Sequence, residues 1–326
     1  MPSISGFVDF NPDKDIPSLN GKVIFVTGGT AGLGKSSILA LAKHGPLHIY
    51  FTGRNVKAGE ALIAEMKNTN PSVGLTFLEM DFLSLSSVKK GCGQFIHDRL
   101  DILMCNAGIM YKPPGLSQDG YEITFATNHL AHALIIKQLL PTLLKTAKDP
   151  DADVRLISLT SVGWFGHPTD GISFSTLRTT QDSMFLGKLK RYAQSKLANI
   201  VYAAEVARRY PSIMALSVHP GIVHTDLTNN LKLSEKIGAY AANLWTAGAI
   251  TFMEEDQGCL SQLWVAAGAR RNQLVNGAYY RPVGVMSNSD LDSVATSEEF
   301  ARKLWVWTDE ALESSTADDT CNGTCI

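Results

Sequence analysis

Short apolar runs of four to six residues recur along the chain, each stopping at Gly, Asp, Asn or Ser, and longer segments with apolar residues at helical spacing separate them. A run that is apolar at nearly every position suits a strand covered on both faces, and the helical segments supply the crossovers that parallel neighbours need. The pattern predicts seven strands, at 22–27, 48–52, 75–80, 102–105, 154–159, 213–218 and 277–280, and helices over 35–44, 56–68, 86–99, 121–144, 187–210 and 257–267. Right-handed crossovers wind this alternation into an α/β fold, a doubly wound, seven-stranded parallel sheet with helices on both faces.

No internal repeat or low-complexity linker divides the chain, so residues 21–311 are expected to form a single Rossmann-like domain. Residues 1–20 read as an irregular leader and 312–326 as a loose tail. Two interruptions exceed what a tight α/β connection needs, and both follow strand ends on the side where such sheets bind ligands. They are a substrate loop at 163–188 and a lid segment at 223–255.

Composition narrows the possible roles. With 326 residues, 45% of them hydrophobic, the chain has ample material for a core, and a net charge of −2 provides no basic field for nucleic acid. The longest uncharged run, 237–253, reaches only the short limit for a membrane span and contains Asn243, Thr246 and Thr251, so no span is expected. Five scattered cysteines favour free thiols in a reducing compartment, and with no secretion-type start a cytoplasmic location is expected. The only close pair, Cys321 and Cys325, lies in the tail without a second ligand pair. Asn322-Gly-Thr324 is then an idle glycosylation sequon.

The chemistry centres on Tyr192 and Lys196, four residues apart on one predicted helix and therefore on one face of it. A unit positive charge about 5 Å from a phenol, at an effective dielectric of about 20, favours the phenolate by roughly 3 kcal/mol. Tyr192 is thereby expected to titrate nearer neutrality, where general acid–base catalysis is efficient.

At the other end of the domain Thr27-Gly-Gly-Thr-Ala-Gly-Leu-Gly34 directly follows the first strand and opens a helix. Gly28, Gly32 and Gly34 give a tight turn through which backbone N–H groups approach a pyrophosphate, with Thr30 and Leu33 on the same loop. At the end of the second strand, where an acidic residue would hold a ribose 2′-hydroxyl, the chain reads Gly53-Arg54. Arg54, with Lys35 or Lys57, suits a 2′-phosphate, which favours NADP(H). Asp81 ends the third strand where it can accept from an adenine amine, and Asn106 follows the fourth.

Together these motifs resemble the short-chain dehydrogenase/reductase family over roughly residues 19–285. They are the glycine turn, Asn106-Ala-Gly108, Asn128 in Thr-Asn-His-Leu, Ser161 ending Ile-Ser-Leu-Thr-Ser, Tyr192 with Lys196, and His219-Pro-Gly-Ile-Val-His-Thr225. The resemblance implies that Tyr192 donates a proton to a carbonyl and that Lys196 holds the nicotinamide ribose and lowers the phenol's pKa. It implies that Ser161 hydrogen-bonds the carbonyl oxygen and Asn128 holds a water linking Lys196 to solvent. Val223 and Thr225, with Pro220 and Gly221, would close over the carboxamide. Cys105 departs from the pattern, standing where the family usually has Asn.

His129 and His132 lie beside Asn128 on the long predicted helix without a cluster of other ligands, so packing or a helix interface is expected of them and no metal site. A Ser–Lys hydrolase built on Ser161 and Lys196 would leave the glycine turn unexplained. Trp164, Phe165, Phe174, Met184, Phe185 and Leu186 in the substrate loop, with Leu227, Leu231, Tyr240, Leu244 and Trp245 in the lid, imply apolar walls. The pattern looks most like reductases of fungal natural-product pathways and retinol-dehydrogenase-type members, which implies a bulky lipophilic ketone, aldehyde or alcohol. Two alternatives stay open: redox-neutral chemistry on the same residues, and a non-catalytic nucleotide sensor. A homo-oligomer joined through the two long helices is a further expectation.

Overall fold

A computed structural model describes residues 7–221, 223 and 253–321. Its centre is a sheet of strands β1 (Val23–Val26), β2 (His48–Gly53), β3 (Gly74–Glu79), β4 (Ile102–Cys105), β5 (Arg155–Leu159), β6 (Met214–Val218), β7 (Tyr279–Arg281) and β8 (Val285–Met286). Their spatial order is β3-β2-β1-β4-β5-β6-β7-β8. The sheet therefore has eight strands where seven were predicted, and the added β8 pairs antiparallel with β7, the others being parallel. Two residues are too few to show a period, which is why β8 left no pattern.

Alternate side chains of each strand enter opposite layers of core. Phe25, Leu103 and Leu156 pack on one side, while Ile24, Val26, Met104 and Ile157 pack on the other, all buried. The register Val26↔Met104, Cys105↔Ser158 and Leu159↔Val218 brings the C-terminal ends of β1, β4, β5 and β6 to one level. Strand order reverses between β1 and β4, so a crevice opens there.

The helices are α1 (Pro12–Asp15), α2 (Gly32–Ala42), α3 (Val56–Thr69), α4 (Leu85–Cys92), α5 (Ile123–Phe125), α6 (Ala131–Thr146), α7 (Gly187–Arg209), α8 (Glu255–Gly258), α9 (Leu260–Leu263) and α10 (Glu298–Cys321). Predicted helix 86–99 ends early, because Gly91 and Gly93 bracket its last turn. Predicted helix 121–144 is interrupted by a π-turn, Ala126–Leu130, between α5 and α6.

The ends are better packed than the sequence suggests. Phe10, Ile16 and Leu19 of the leader are buried, and Val8 N–H donates to Val283 O at 3.0 Å. Helix α10 had no counterpart in the prediction and continues past Ala311, with Leu312 buried, so the chain just beyond 311 belongs to the body. No helix among the described residues is long and apolar enough to cross a membrane. Residues 237–252 of the long uncharged run lie outside the described residues, as do Thr225, nearly all of the lid segment, and Cys325.

Candidate active site

The turn after β1 is shaped by close backbone contact. Gly28 takes φ +66° and Gly32 φ +56°, values that a side chain would strain. A Cβ on Gly34 would come within 2.2 Å of Gly28 O and 2.7 Å of Asn106 Nδ2, so only glycine lets the helix start against the turn. Ala31 caps α2 without a side-chain hydrogen bond, which leaves first-turn N–H groups for a phosphate. Asn106 Nδ2 donates to Thr27 O at 2.9 Å and ties the turn to the end of β4.

A cleft of about 680 Å³ runs along this edge, lined by Gly28, Thr30, Gly32, Leu33, Arg54, Asp81, Asn106 and Gly108 and, farther along, Tyr111 and Thr127. One Asp81 carboxylate oxygen accepts from Leu83 N–H at 3.1 Å. Lys35 is paired with Glu65 at 3.0 Å at the surface. A Cβ on Gly53 would lie 2.7 Å from Thr30 Cγ2, so any side chain at the end of β2 would have to displace Thr30. The cradle of glycines, the uncapped helix start and the cation at Arg54 fit a dinucleotide with a phosphorylated ribose.

The predicted catalytic residues converge beyond the end of β5. Ser161 is the N-cap of a short 3₁₀ turn, Val162–Gly166, and its Oγ accepts from Gly163 N–H at 3.1 Å. A Cβ on Gly163 would lie 3.1 Å from Tyr192 Cε1, so this glycine allows the serine turn to rest on the tyrosine ring. The Ser161 hydroxyl faces the Tyr192 phenol and favours its ionised form. Lys196 Nζ donates to Leu159 O at 2.9 Å and lies 5.8 Å from the Tyr192 ring centroid. Asn199 Nδ2 also donates to Leu159 O at 2.9 Å, and Thr160 Oγ1 donates to Lys196 O at 2.7 Å, which staples α7 to the strand end.

Electrostatics correct one expectation. Burial pushes the Tyr192 phenol above its usual range, the Ser161 hydrogen bond pulls the other way, and the nearby Tyr111 phenol adds to the rise. In the protein alone, desolvation is the largest influence, and the phenol stays protonated rather than titrating near neutrality. Burial also lowers Lys196 to about 8. Tyr192 is thus loaded as an acid at neutral pH.

Asn128 is buried in the π-turn with its side chain fully engaged. Its Oδ1 accepts from Ile109 N–H at 2.8 Å, and Nδ2 donates to Ile109 O at 3.0 Å and Ser195 Oγ at 2.9 Å. A Cβ on Gly108 would sit 3.1 Å from Asn128 Oδ1 and 3.5 Å from Lys196 Nζ, so a glycine there keeps the space between them open.

The bond between Thr27 and His132 was not legible in the sequence, which gave Thr27 only a place in the glycine turn and His132 only a packing role. His132 Nδ1 lies 2.9 Å from Asn128 O, which only accepts, so Nδ1 carries the hydrogen. Burial lowers this histidine to about 4, leaving Nε2 an acceptor that takes the Thr27 hydroxyl proton at 2.9 Å. Thr27 Oγ1 in turn accepts from Asn106 N–H at 2.8 Å and Ala107 N–H at 2.9 Å. One neutral histidine thereby joins α6 and the π-turn of Asn128 to the ends of β1 and β4. Its position four residues after Asn128 was the available signal. His129 instead meets Thr308 Oγ1 of α10 at 2.9 Å, the packing role expected of it. Among the described residues no group of three or more His, Cys, Asp or Glu could hold a metal ion. Val223 is buried and bridges to Met253.

A family model described as short chain dehydrogenase matches residues 22–162. An uncharacterized oxidoreductase of Schizosaccharomyces pombe is 32% identical over 314 residues, spanning 92% of this chain and 87% of the relative. The short-chain dehydrogenase/reductase drtF of Aspergillus calidoustus is 32% identical over 311 residues, spanning 91% of this chain and 95% of the relative. Among solved structures, NADPH-bound carbonyl reductase from chicken fatty liver shares the fold, with a TM-score of 0.61 at 19% identity over 87% of this chain and 99% of its own. Identity sustained over most of both lengths in the first two relatives makes this chain a member of the short-chain dehydrogenase/reductase family of oxidoreductases.

Proposed function

We propose that the protein is an NADP(H)-dependent oxidoreductase acting on a bulky lipophilic carbonyl or alcohol, as a ketoreductase or dehydrogenase of a secondary-metabolite pathway. The observation that carries the reading is the meeting of Ser161, Tyr192 and Lys196 at the end of β5, beside a glycine cradle that fits a dinucleotide. Gly53 packed on Thr30, with Arg54 on the cleft wall, supports NADP(H) over NAD(H). The NADPH in the chicken liver reductase agrees with it. The lipophilic substrate rests on the apolar residues of the substrate loop, where Phe165, Phe185 and Leu186 are exposed, and the pathway role on the resemblance. Buried free thiols at Cys92, Cys105 and Cys259 support a cytoplasmic location.

NADPH, when bound, supplies the hydride. Ser161 holds the substrate oxygen against Tyr192, and Tyr192 gives that oxygen its proton as charge develops there. Lys196, held by the carbonyl of Leu159, keeps a positive charge beside the ring. Asn128 fixes Ile109 and Ser195 around the cofactor's path.

The reading is tested by consumption of NADPH and NADH across a panel of lipophilic carbonyls, with wild type beside Tyr192→Phe. Turnover that prefers NADPH and falls roughly 10²–10⁴-fold in the variant is the expected result. Tight NADPH binding with product formed but no cofactor oxidised would replace it with redox-neutral chemistry.

A further inference from the structure

Immediately before Tyr192 stands a buried arginine whose role the catalytic chemistry does not explain. Arg191 is 2% exposed. Its Nη1 donates to Gln181 O at 3.1 Å and its Nη2 to Lys112 O at 3.3 Å, carbonyls of two separate loops. Its Nε lies 3.5 Å from Glu122 Oε1, a charge pairing too long for a hydrogen bond. Glu122 is fully buried and caps α5, which leads into the π-turn of Asn128, accepting from Thr124 N–H at 3.0 Å and Phe125 N–H at 2.7 Å. One guanidinium thus joins the loop after β4, the substrate loop and the helix that carries Asn128.

Backbone conformation marks the same two loops. Three residues other than glycine have positive φ among the described residues: Tyr111 at 52°, Gln181 at 50° and Leu186 at 55°. Tyr111 adjoins the carbonyl of Lys112, Gln181 supplies its own carbonyl, and Leu186 precedes Gly187, where a Cβ would lie 2.7 Å from Arg191 Nη1. Left-handed backbone at such residues persists only where the surroundings hold it. Tyr111 stands edge-on to Tyr192 with ring centroids 5.8 Å apart and lines the cleft. Gln194, two residues after Tyr192, adds a second grip by donating to Gln181 Oε1 at 2.7 Å. An apolar residue of similar size would fill the volume of Arg191 without the cost of burying a charge. It could not hold two carbonyls of separate loops at once.

We propose that Arg191 is a positioning residue for the substrate side of the site, holding both rims of the pocket so that Tyr111 is presented against Tyr192. The proposal rests on the carbonyl-reductase reading for its kinetic consequences but not for its structural ones. Arg191→Lys keeps the positive charge and loses the two-pronged donor. In this variant KM for a carbonyl turned over by wild type is expected to rise about tenfold, with kcat changed less than about threefold and the NADPH Kd unchanged. Hydrogen exchange of the whole protein is expected to quicken at 109–113 and 179–187 and to stay as in wild type at 28–34. Tyr111→Ala is expected to raise KM in wild type and to add nothing in the Arg191→Lys background, the coupling of residues that act through one another.

Glu122→Gln, which removes the charge facing Arg191, keeps one of the two cap acceptors and leaves both carbonyl bonds of Arg191, is expected to show the same split to a smaller degree and covers the case in which Arg191→Lys does not fold. A parallel loss of kcat, carbonyl KM, NADPH affinity and thermal stability would overturn the proposal in favour of general packing, and so would additive effects of Tyr111→Ala. If wild type turns over no carbonyl, the functional reading fails while the exchange arm still decides the clamp. Loops that exchange no faster in either variant would then refute it.

Discussion

A carboxylate at the end of β2 would have to displace Thr30, because the Cβ of any residue at 53 would press on its side chain. Arg54 lines the cleft with its side chain exposed, where it would meet the 2′-phosphate of a bound NADP(H) under the proposed function. Loss of a charge-assisted hydrogen bond costs roughly 1.5–3 kcal/mol, so Arg54→Ala is expected to weaken NADPH binding about 10–100-fold and leave NADH unchanged. Fluorescence titration with both cofactors checks this. Lys196 gives a second expectation at the same scale. Burial places its pKa at about 8, so its positive charge is present below that pH and lost above it. kcat/KM for NADPH, which reports the free enzyme, should therefore fall as pH rises through about 8. A profile flat to pH 10 would contradict it. The identities of Ser161, Tyr192, Lys196 and Asn128 were legible because each sits in a short local motif. The protonation state of Tyr192 was not, since it depends on burial by Trp164's turn, Tyr111 and α7, none of which a motif encodes.

At the scale of elements, the long strands and helices were readable because burial on two faces leaves continuous apolar runs and burial on one leaves a helical period. The π-turn at Ala126–Leu130 was not, because its cause is the clamp of Asn128 on Ile109 and Ser195, contacts between distant stretches of chain. Helix α10 escaped for the opposite reason: its two acidic ends and scattered aromatics give only a weak stripe. In place, it covers the face that the resemblance suggested for subunit contact. Trp305 stacks on Tyr202 of α7 at 4.9 Å, Arg209 lies 4.4 Å over Trp305, Lys137 of α6 pairs with Asp309 at 3.1 Å, and Leu304 and Thr308 are fully buried. These parts of α6 and α7 are occupied by the chain's own helix. Sedimentation velocity at micromolar concentration is expected to show a monomer, and a dimer that survives Leu304→Ala would have to use another surface.

The whole molecule buries several titratable rings in its neutral form, and this sets its response to acid. His129, His132 and His219 are 2%, 4% and 3% exposed, and burial, the leading cause in each, lowers them to about 3, about 4 and about 3. The unfolded chain takes up protons on these residues near pH 6.5, well before the folded protein does, so stability present above that pH is lost as pH falls. At pH 5 each contributes a loss of roughly 2 kcal/mol, and three together rival the net stability of an ordinary domain, about 5–15 kcal/mol. Lys196 acts in the alkaline range with the same slope: its folded value of about 8 lies below the unfolded 10.5, so stability rises between those values. Urea unfolding at pH 7.5, 6.5 and 5.5 is expected to show a midpoint that drops steadily toward acid, and His219→Gln should flatten that slope while leaving the His132 link between Thr27 and Asn128 intact. Stability that stays level from pH 7.5 to 5.5 would mean that these rings already gain protons in the folded state, and the assignment of His132 as a neutral Nδ1–H ring, with the hydrogen-bond directions built on it, would fall with it.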